Sequence, residues 1–252
     1  MKQVLSFLLS LVLMVGVSTT ALAAGNTYHD VPTSHWAYQY IESVTEKGLF
    51  GGVGGGKFSP ETPFTRAQVT QTLYNAYSQT LTGTLDSNTA VNGLTGREWY
   101  KTPLRWALSY NLLDGAYNDM GSIYGADPEA TCDRKGAALA MYRLAGALGV
   151  ELPATNAAID FPDIAALDAE YQTAITALQR AGVLAGLPGG IYGPNEPLNR
   201  AQAATILDRF TGIPGLESTK PAAEIPSIEP SQPLDANTVY GYINLKAKEY
   251  GF

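Results

Sequence analysis

Gly48-Leu49-Phe50-Gly51-Gly52, then Pro60, then Phe64-Thr65-Arg66-Ala67-Gln68 is the stretch on which the reading of this chain turns, because it returns twice. The first anchor recurs as Asn111-Leu112-Leu113-Asp114-Gly115 and as Gly182-Val183-Leu184-Ala185-Gly186. Pro60 precedes Arg66 by six residues, as Pro128 precedes Arg134 and Pro194 precedes Arg200. The two anchors lie 12 residues apart in the first and third copies and 17 apart in the second, an insertion within Asp114–Asp127. The copies span residues 36–79, 99–147 and 170–212, and such self-similarity outranks any single motif.

Each copy reads as helix, loop, helix. Ile41 and Val44, Leu104 and Ala107, and Ile175 and Leu178 pair at i, i+3 on one helical face. Four residues later stands Gly48, Asn111 or Gly182, residue types that tolerate the left-handed conformation just past a helix end. Ser34, Thr102-Pro103 and Asp168 are the expected entry signals for these helices. The second helices open on Thr65, Asp133 and Asn199 as N-caps. Gln68 and Gln202 at N3 complete a reciprocal box, which Gly136 cannot. Their apolar stripes run Val69, Leu73, Ala76; Ala137, Met141, Leu144; and Ala203, Leu207, Phe210. One pair of about 45 residues buries too little apolar surface to stand alone. The expectation is therefore an all-α bundle of three helix-loop-helix repeats with pseudo-threefold character.

Around this core the chain divides further. Lys2, an apolar run from Val4 to Val17 and Ala21-Leu22-Ala23-Ala24 read as a secretory leader over 1–23, with no stable membrane span once it is cleaved. Repeat boundaries are expected at 24–86, 87–149 (divergent) and 150–213, with exposed connectors at 80–98 and 148–168. Five prolines between Pro214 and Pro233 make 214–233 an extended linker, and 234–252 a short C-terminal segment that docks on the repeats or on a partner protein.

Composition excludes several functions. The chain of 252 residues is 45% hydrophobic with a formal charge of −7, so no dense basic face suits nucleic acid. One cysteine and two histidines leave no disulfide framework, no Cys-rich zinc site and little imidazole chemistry. The acids between Asp114 and Asp133 lack calcium-loop spacing. Gly51–Lys57 lacks the Gly-Lys-Ser/Thr ending of a phosphate loop, and no Gly-x-Ser-x-Gly occurs. Cys132 reads as a buried thiol. No catalytic residue, metal or cofactor is assigned.

The repeat resembles the S-layer homology (SLH) domain. Repeat one carries Tyr28-His29-Asp30-Val31, Trp36-Ala37, Ile41, Gly48 to Gly52, Phe58-Ser59-Pro60 and Phe64 to Gln68. Repeat three carries Phe161-Pro162-Asp163-Ile164, Tyr192-Gly193-Pro194 and Leu198-Asn199-Arg200-Ala201-Gln202. Repeat two retains Trp99-Tyr100, Tyr124 to Pro128 and Cys132 to Gly136. The resemblance implies a three-pronged pseudo-trimer. It implies a secreted protein held at the cell wall, non-covalently, by a secondary cell-wall polysaccharide or peptidoglycan-linked glycan, often bearing pyruvate ketals, in grooves between repeats.

The resemblance implies that the Arg of Thr-Arg-Ala-Glu and the backbone after the glycine anchor touch that ligand. The candidate glycan-binding residues are Arg66, Arg134, Arg200, Trp36, Gly51, Gly52, Gly186 and Lys57. A guanidinium at a helix N-terminus, where amides are unpaired, suits a sugar carboxylate. Equally, the arginines can bridge to carbonyls of the next repeat, Lys57 can be a solvated charge, and Trp36 reads first as core. Trp99 also suits a sugar face. The family's Glu is Gln68, Gly136 and Gln202 here, which removes a negative charge from each motif. The alternative function is a scaffold that no longer binds glycan and recruits a partner through 234–252.

Overall fold

The computed structural model describes residues 26–82, 98–113 and 128–218. The leader, most of the 80–98 connector, the repeat-two insertion and the 234–252 segment lie outside the described residues. Six α-helices are present, with no sheet among the described residues: α1 (Tyr38–Glu46), α2 (Arg66–Tyr77), α3 (Lys101–Ser109), α4 (Arg134–Ala147), α5 (Ala169–Arg180) and α6 (Arg200–Thr211).

Local signals in the sequence translate directly into helix ends. Thr65 and Asn199 cap α2 and α6 with both arms of the box formed, and Asp133 caps α4 with one arm. Gly48, Asn111 and Gly182 take positive φ of 64°, 54° and 79° just beyond α1, α3 and α5. The entries of the first helices are less well marked. The caps are Ala37 and Tyr100 rather than Ser34 or Thr102, and Asp168 occupies the cap position without a side-chain bond.

Helix packing runs between the sequence repeats. The substantial helix contacts are α2 with α3, α4 with α5, and α1 with α6. The first helix of each repeat thus lies on the second helix of the preceding one, and repeat one closes the ring on repeat three. Every residue of the predicted stripes is buried. Polar contacts mark each interface: Lys47 Nζ to Asp208 at 2.7 Å between α1 and α6, and a two-bond Arg143–Glu170 pair between α4 and α5. Trp106 of α3 packs edge-on to Tyr74 of α2 and donates Nε1–H to the Leu81 carbonyl.

The loops before α2, α4 and α6 meet on the pseudo-threefold axis. There Phe64 N–H donates to Leu198 O, Leu198 N–H to Cys132 O, and Cys132 N–H to Phe64 O, at 2.8–2.9 Å, a cyclic triangle of backbone bonds. Packing continues beyond residue 213. Leu216 is fully buried and its carbonyl accepts a 2.6 Å bond from the Tyr77 hydroxyl of repeat one. Trp36 departs from its expected place in the core. It is 57% exposed and stacked on His35, because Ala37 and Ile41 supply the buried face of that helix entry.

Candidate functional site

Each of α2, α4 and α6 opens on an arginine: Arg66, Arg134 and Arg200. Arg200 is 4% exposed and donates Nε–H to Phe58 O (2.8 Å) and Nη2–H to Gly51 O (2.7 Å), both in repeat one. Its guanidinium lies over the rings of Phe50 and Phe58, at 4.5 and 4.7 Å from their centroids. On the other side of the same peptide segment, Asp30 accepts the N–H groups of Phe58 and Ser59, both at 2.8 Å. The loop is therefore held by an acid of its own repeat and an arginine of another.

Repeat three carries the same device. Arg134 donates to Tyr192 O (2.9 Å) and Ala185 O (2.8 Å) and covers the Tyr192 ring, while Asp163 accepts from Tyr192 N–H and Gly193 N–H. Burial acts to raise both aspartates, but the amide donors outweigh it and hold them below the usual carboxylate range. Burial pulls Arg200 down to about 10, against the fields of Tyr28 and Asp30, so it stays charged at neutral pH. Arg66, half-buried at the start of α2, occupies the third equivalent position.

The helix N-termini themselves are occupied. At α2, α4 and α6 the N1 and N2 amides donate to carbonyls of the next repeat: Ala130 and Pro128, Glu196 and Pro194, Thr62 and Pro60. The N3 amides donate to the caps Thr65, Asp133 and Asn199. The unpaired donors expected for an anion at these ends are absent, because ring closure consumes them.

One groove opens beside the Arg200 clamp. It encloses about 410 Å³, within the size range of small-ligand sites. Gly51 and Gly52 form one wall, Gln68, Gln71, Thr72 and Asn75 of α2 the other; Trp99 of repeat two stands at the edge and Arg200 at the floor. Trp99 is 46% exposed, set edge-on to Tyr100. Gln71 donates to Asn75 at 2.7 Å, and Gln68 is engaged in the cap of α2.

Of the expected residues, Arg200, Gly51 and Gly52 share this groove. Arg134 and Gly186 adjoin one another at the repeat-three loop, Lys57 is exposed at the base of the Gly54–Lys57 turn, and Trp36 lies at the α1 entry. The glycines divide by physical role. A Cβ at Gly52 would meet Lys57 O and the Tyr28 ring at 2.5 Å, and one at Gly186 would meet the Phe161 ring at 2.6 Å. A Cβ at Gly51 meets nothing within 4 Å. Sequence reasoning passed over Gln71, Thr72 and Asn75. Their signal is a polar stripe at i, i+3, i+4 and i+7 from Gln68, beside the apolar one.

Cys132 is buried on the axis, and burial, with the field of Asp133, raises its thiol to about 12. No group of three or more His, Cys, Asp or Glu side chains fit for a metal occurs among the described residues. No helix among them is long and apolar enough to cross a membrane.

Comparison with known proteins adds the family context. The chain is 25% identical over 220 residues to the S-layer protein sap of Bacillus anthracis, covering 87% of this chain and 25% of that protein. The S-layer protein of Bacillus thuringiensis subsp. finitimus is 24% identical over the same shares. A cellulosome-anchoring protein of Acetivibrio thermocellus is 44% identical over 48 residues, 19% of this chain and 11% of that protein. The chain thus spans about a quarter of the length of the S-layer relatives it matches over most of its own length. The S-layer homology domain is matched twice, over residues 27–70 and 160–204, the two segments that carry the intact capping boxes of α2 and α6.

Proposed function

We propose that this is a secreted cell-surface protein, held at the bacterial envelope through its SLH repeats by non-covalent binding to a cell-wall polysaccharide. The two domain matches and the S-layer and cellulosome-anchoring relatives support surface anchoring. Residues 99–147 act as a third, divergent repeat. Its support is the placing of α3 and α4 in the same ring, with Asp133 as cap and Arg134 in the same clamp. The reading assigns no reaction to the chain.

The observation that carries the binding step is the groove where Trp99 faces an α2 wall of amides and a hydroxyl across the Gly51 backbone. An exposed indole offers an apolar face to a pyranose, and amides exchange hydrogen bonds with its hydroxyls. Gly51 leaves room for a sugar to approach. Arg200 braces the groove through the Gly51–Phe58 loop; Arg66 and Arg134 hold the equivalent helix-start positions, and Trp36, Gly186 and Lys57 are not among the residues that line this groove.

The test is co-sedimentation of the chain from residue 24 with purified sacculi, with and without their non-peptidoglycan polysaccharide. Gly51→Leu projects a side chain into the groove from a position where an added Cβ meets nothing within 4 Å, and Trp99→Ala removes the platform. Binding that needs the polysaccharide and is lost in both variants, with their melting curves unchanged, supports the anchor. Absence of sedimentation by the folded wild-type chain refutes it and leaves the scaffold reading, in which 234–252 recruits a protein.

A further inference from the structure

Resting on that reading, we infer that the Trp99 groove takes a neutral sugar face, bearing hydroxyl and N-acyl groups, rather than a sugar carboxylate. The lining decides this. Gln68, Gln71, Thr72, Asn75, Trp99 and the Gly51–Gly52 backbone are all uncharged, and among the described residues Arg200 alone brings charge to the groove.

That charge is already compensated. Two of the Arg200 donors are taken by Phe58 O and Gly51 O, and Asp30 sits one peptide away, accepting the Phe58 and Ser59 amides. The identical arrangement of Arg134, Tyr192 and Asp163 in repeat three identifies the clamp as part of how repeats interlock. A carboxylate entering the groove would shed its hydration for little return. The Nε/Nη2 edge, one of the two guanidinium edges able to make a two-bond contact with it, is spent on carbonyls, and the N1–N3 amides of α2, α4 and α6 are all engaged. A hydroxylated or N-acylated sugar instead loses only neutral hydration. It regains hydrogen bonds from the side-chain amide groups that the Gln68 cap and the Gln71–Asn75 bond leave over, with its apolar face on the indole. Gln68 in place of the motif's glutamate belongs to the same neutral set: it keeps the α2 cap and adds no charge.

The experiment uses sacculi carrying their wall polysaccharide in two forms: untreated, and with every carboxylate converted to a neutral amide by carbodiimide coupling to ethanolamine. The chain from residue 24 is titrated against both, at 0.05 and 0.5 M NaCl. Half-saturation is expected to change less than about twofold between the two forms and between the two salts, since no ion pair is screened. Trp99→Ala and the double variant Gln71→Ala/Asn75→Ala are each expected to weaken binding to both forms by about tenfold or more. A tenfold loss on amidation, with the protein still folded, overturns the inference while leaving wall anchoring intact. Unchanged binding by both groove variants overturns it by placing the ligand elsewhere. Absence of binding to untreated sacculi overturns the anchoring reading and this inference together.

Discussion

Replacing Arg200 by methionine removes both donors that tie α6 of repeat three to the Gly51–Phe58 loop of repeat one. Methionine keeps the stem packed against Phe50 and Phe58 but leaves the Gly51 and Phe58 carbonyls without their partner. An orphaned buried acceptor costs about 1–3 kcal/mol, and Phe58 is fully buried. Gly51 is exposed, so water recovers most of its carbonyl. Relief from burying the guanidinium offsets part of the remainder. The expected net loss is about 1–2 kcal/mol. Arg200→Lys, able to reach one carbonyl as a point charge, is expected to fall between. Urea unfolding followed by the emission of Trp106, which is 1% exposed, reads the change. Arg134→Met should give a loss of similar size, because its two bonds are the same. A shift below about 1 kcal/mol for both methionine variants would refute the interlocking role. It follows that lost wall binding in an Arg200 variant is no evidence for ligand contact unless its stability is measured alongside.

Adjacent glycines should behave oppositely. Gly52→Ala, whose Cβ meets Lys57 O and Tyr28 at 2.5 Å, is expected to cost about 1–3 kcal/mol in urea, and Gly51→Ala less than about 0.5 kcal/mol. Asp30 and Asp163 are depressed in the folded state, so the stability they confer is full above about pH 4 and is lost as pH falls through their lowered values. Asp30→Asn with Asp163→Asn should flatten that acid limb of a stability–pH curve. Cys132, buried and raised to about 12, should react with Ellman's reagent at pH 8 only as fast as the protein unfolds. Truncation after residue 212 removes Ile213, Leu216 and the Tyr77–Leu216 bond, and should lower the melting temperature by several degrees, about 2–4 °C per kcal/mol for a domain of this size.

Much of the helical architecture is legible along the chain because it depends on near neighbours. The boxes at Thr65 and Asn199, the positive φ at Gly48, Asn111 and Gly182, and the nine stripe residues of α2, α4 and α6 all follow from groups within four residues of one another. The site is less legible. Trp36 looks like core by type, yet Ala37 and Ile41 take the buried face of the α1 entry and leave it exposed. Trp99 is recognisable as a sugar-facing candidate, but nothing local places it at the edge of a groove lined by Gly51 of another repeat. Gln71 and Asn75 look like ordinary solvent-facing amides of an amphipathic helix until a groove is set beside them.

The sequence by itself determined three helix-loop-helix units, where their second helices start and which faces they bury. These are short-range matters of capping, backbone conformation and periodicity. Only the tertiary structure decided that each unit packs on its neighbour rather than on itself. Closing that ring brings Arg200 onto Phe58 and Arg134 onto Tyr192 across more than fifty residues of chain, and consumes the helix-terminal amides that a lone repeat would leave open. The same amide and guanidinium donors suit an anion or a carbonyl equally well. Which of the two they meet is settled by what the fold carries to within hydrogen-bonding distance, and no local stretch of sequence contains that information.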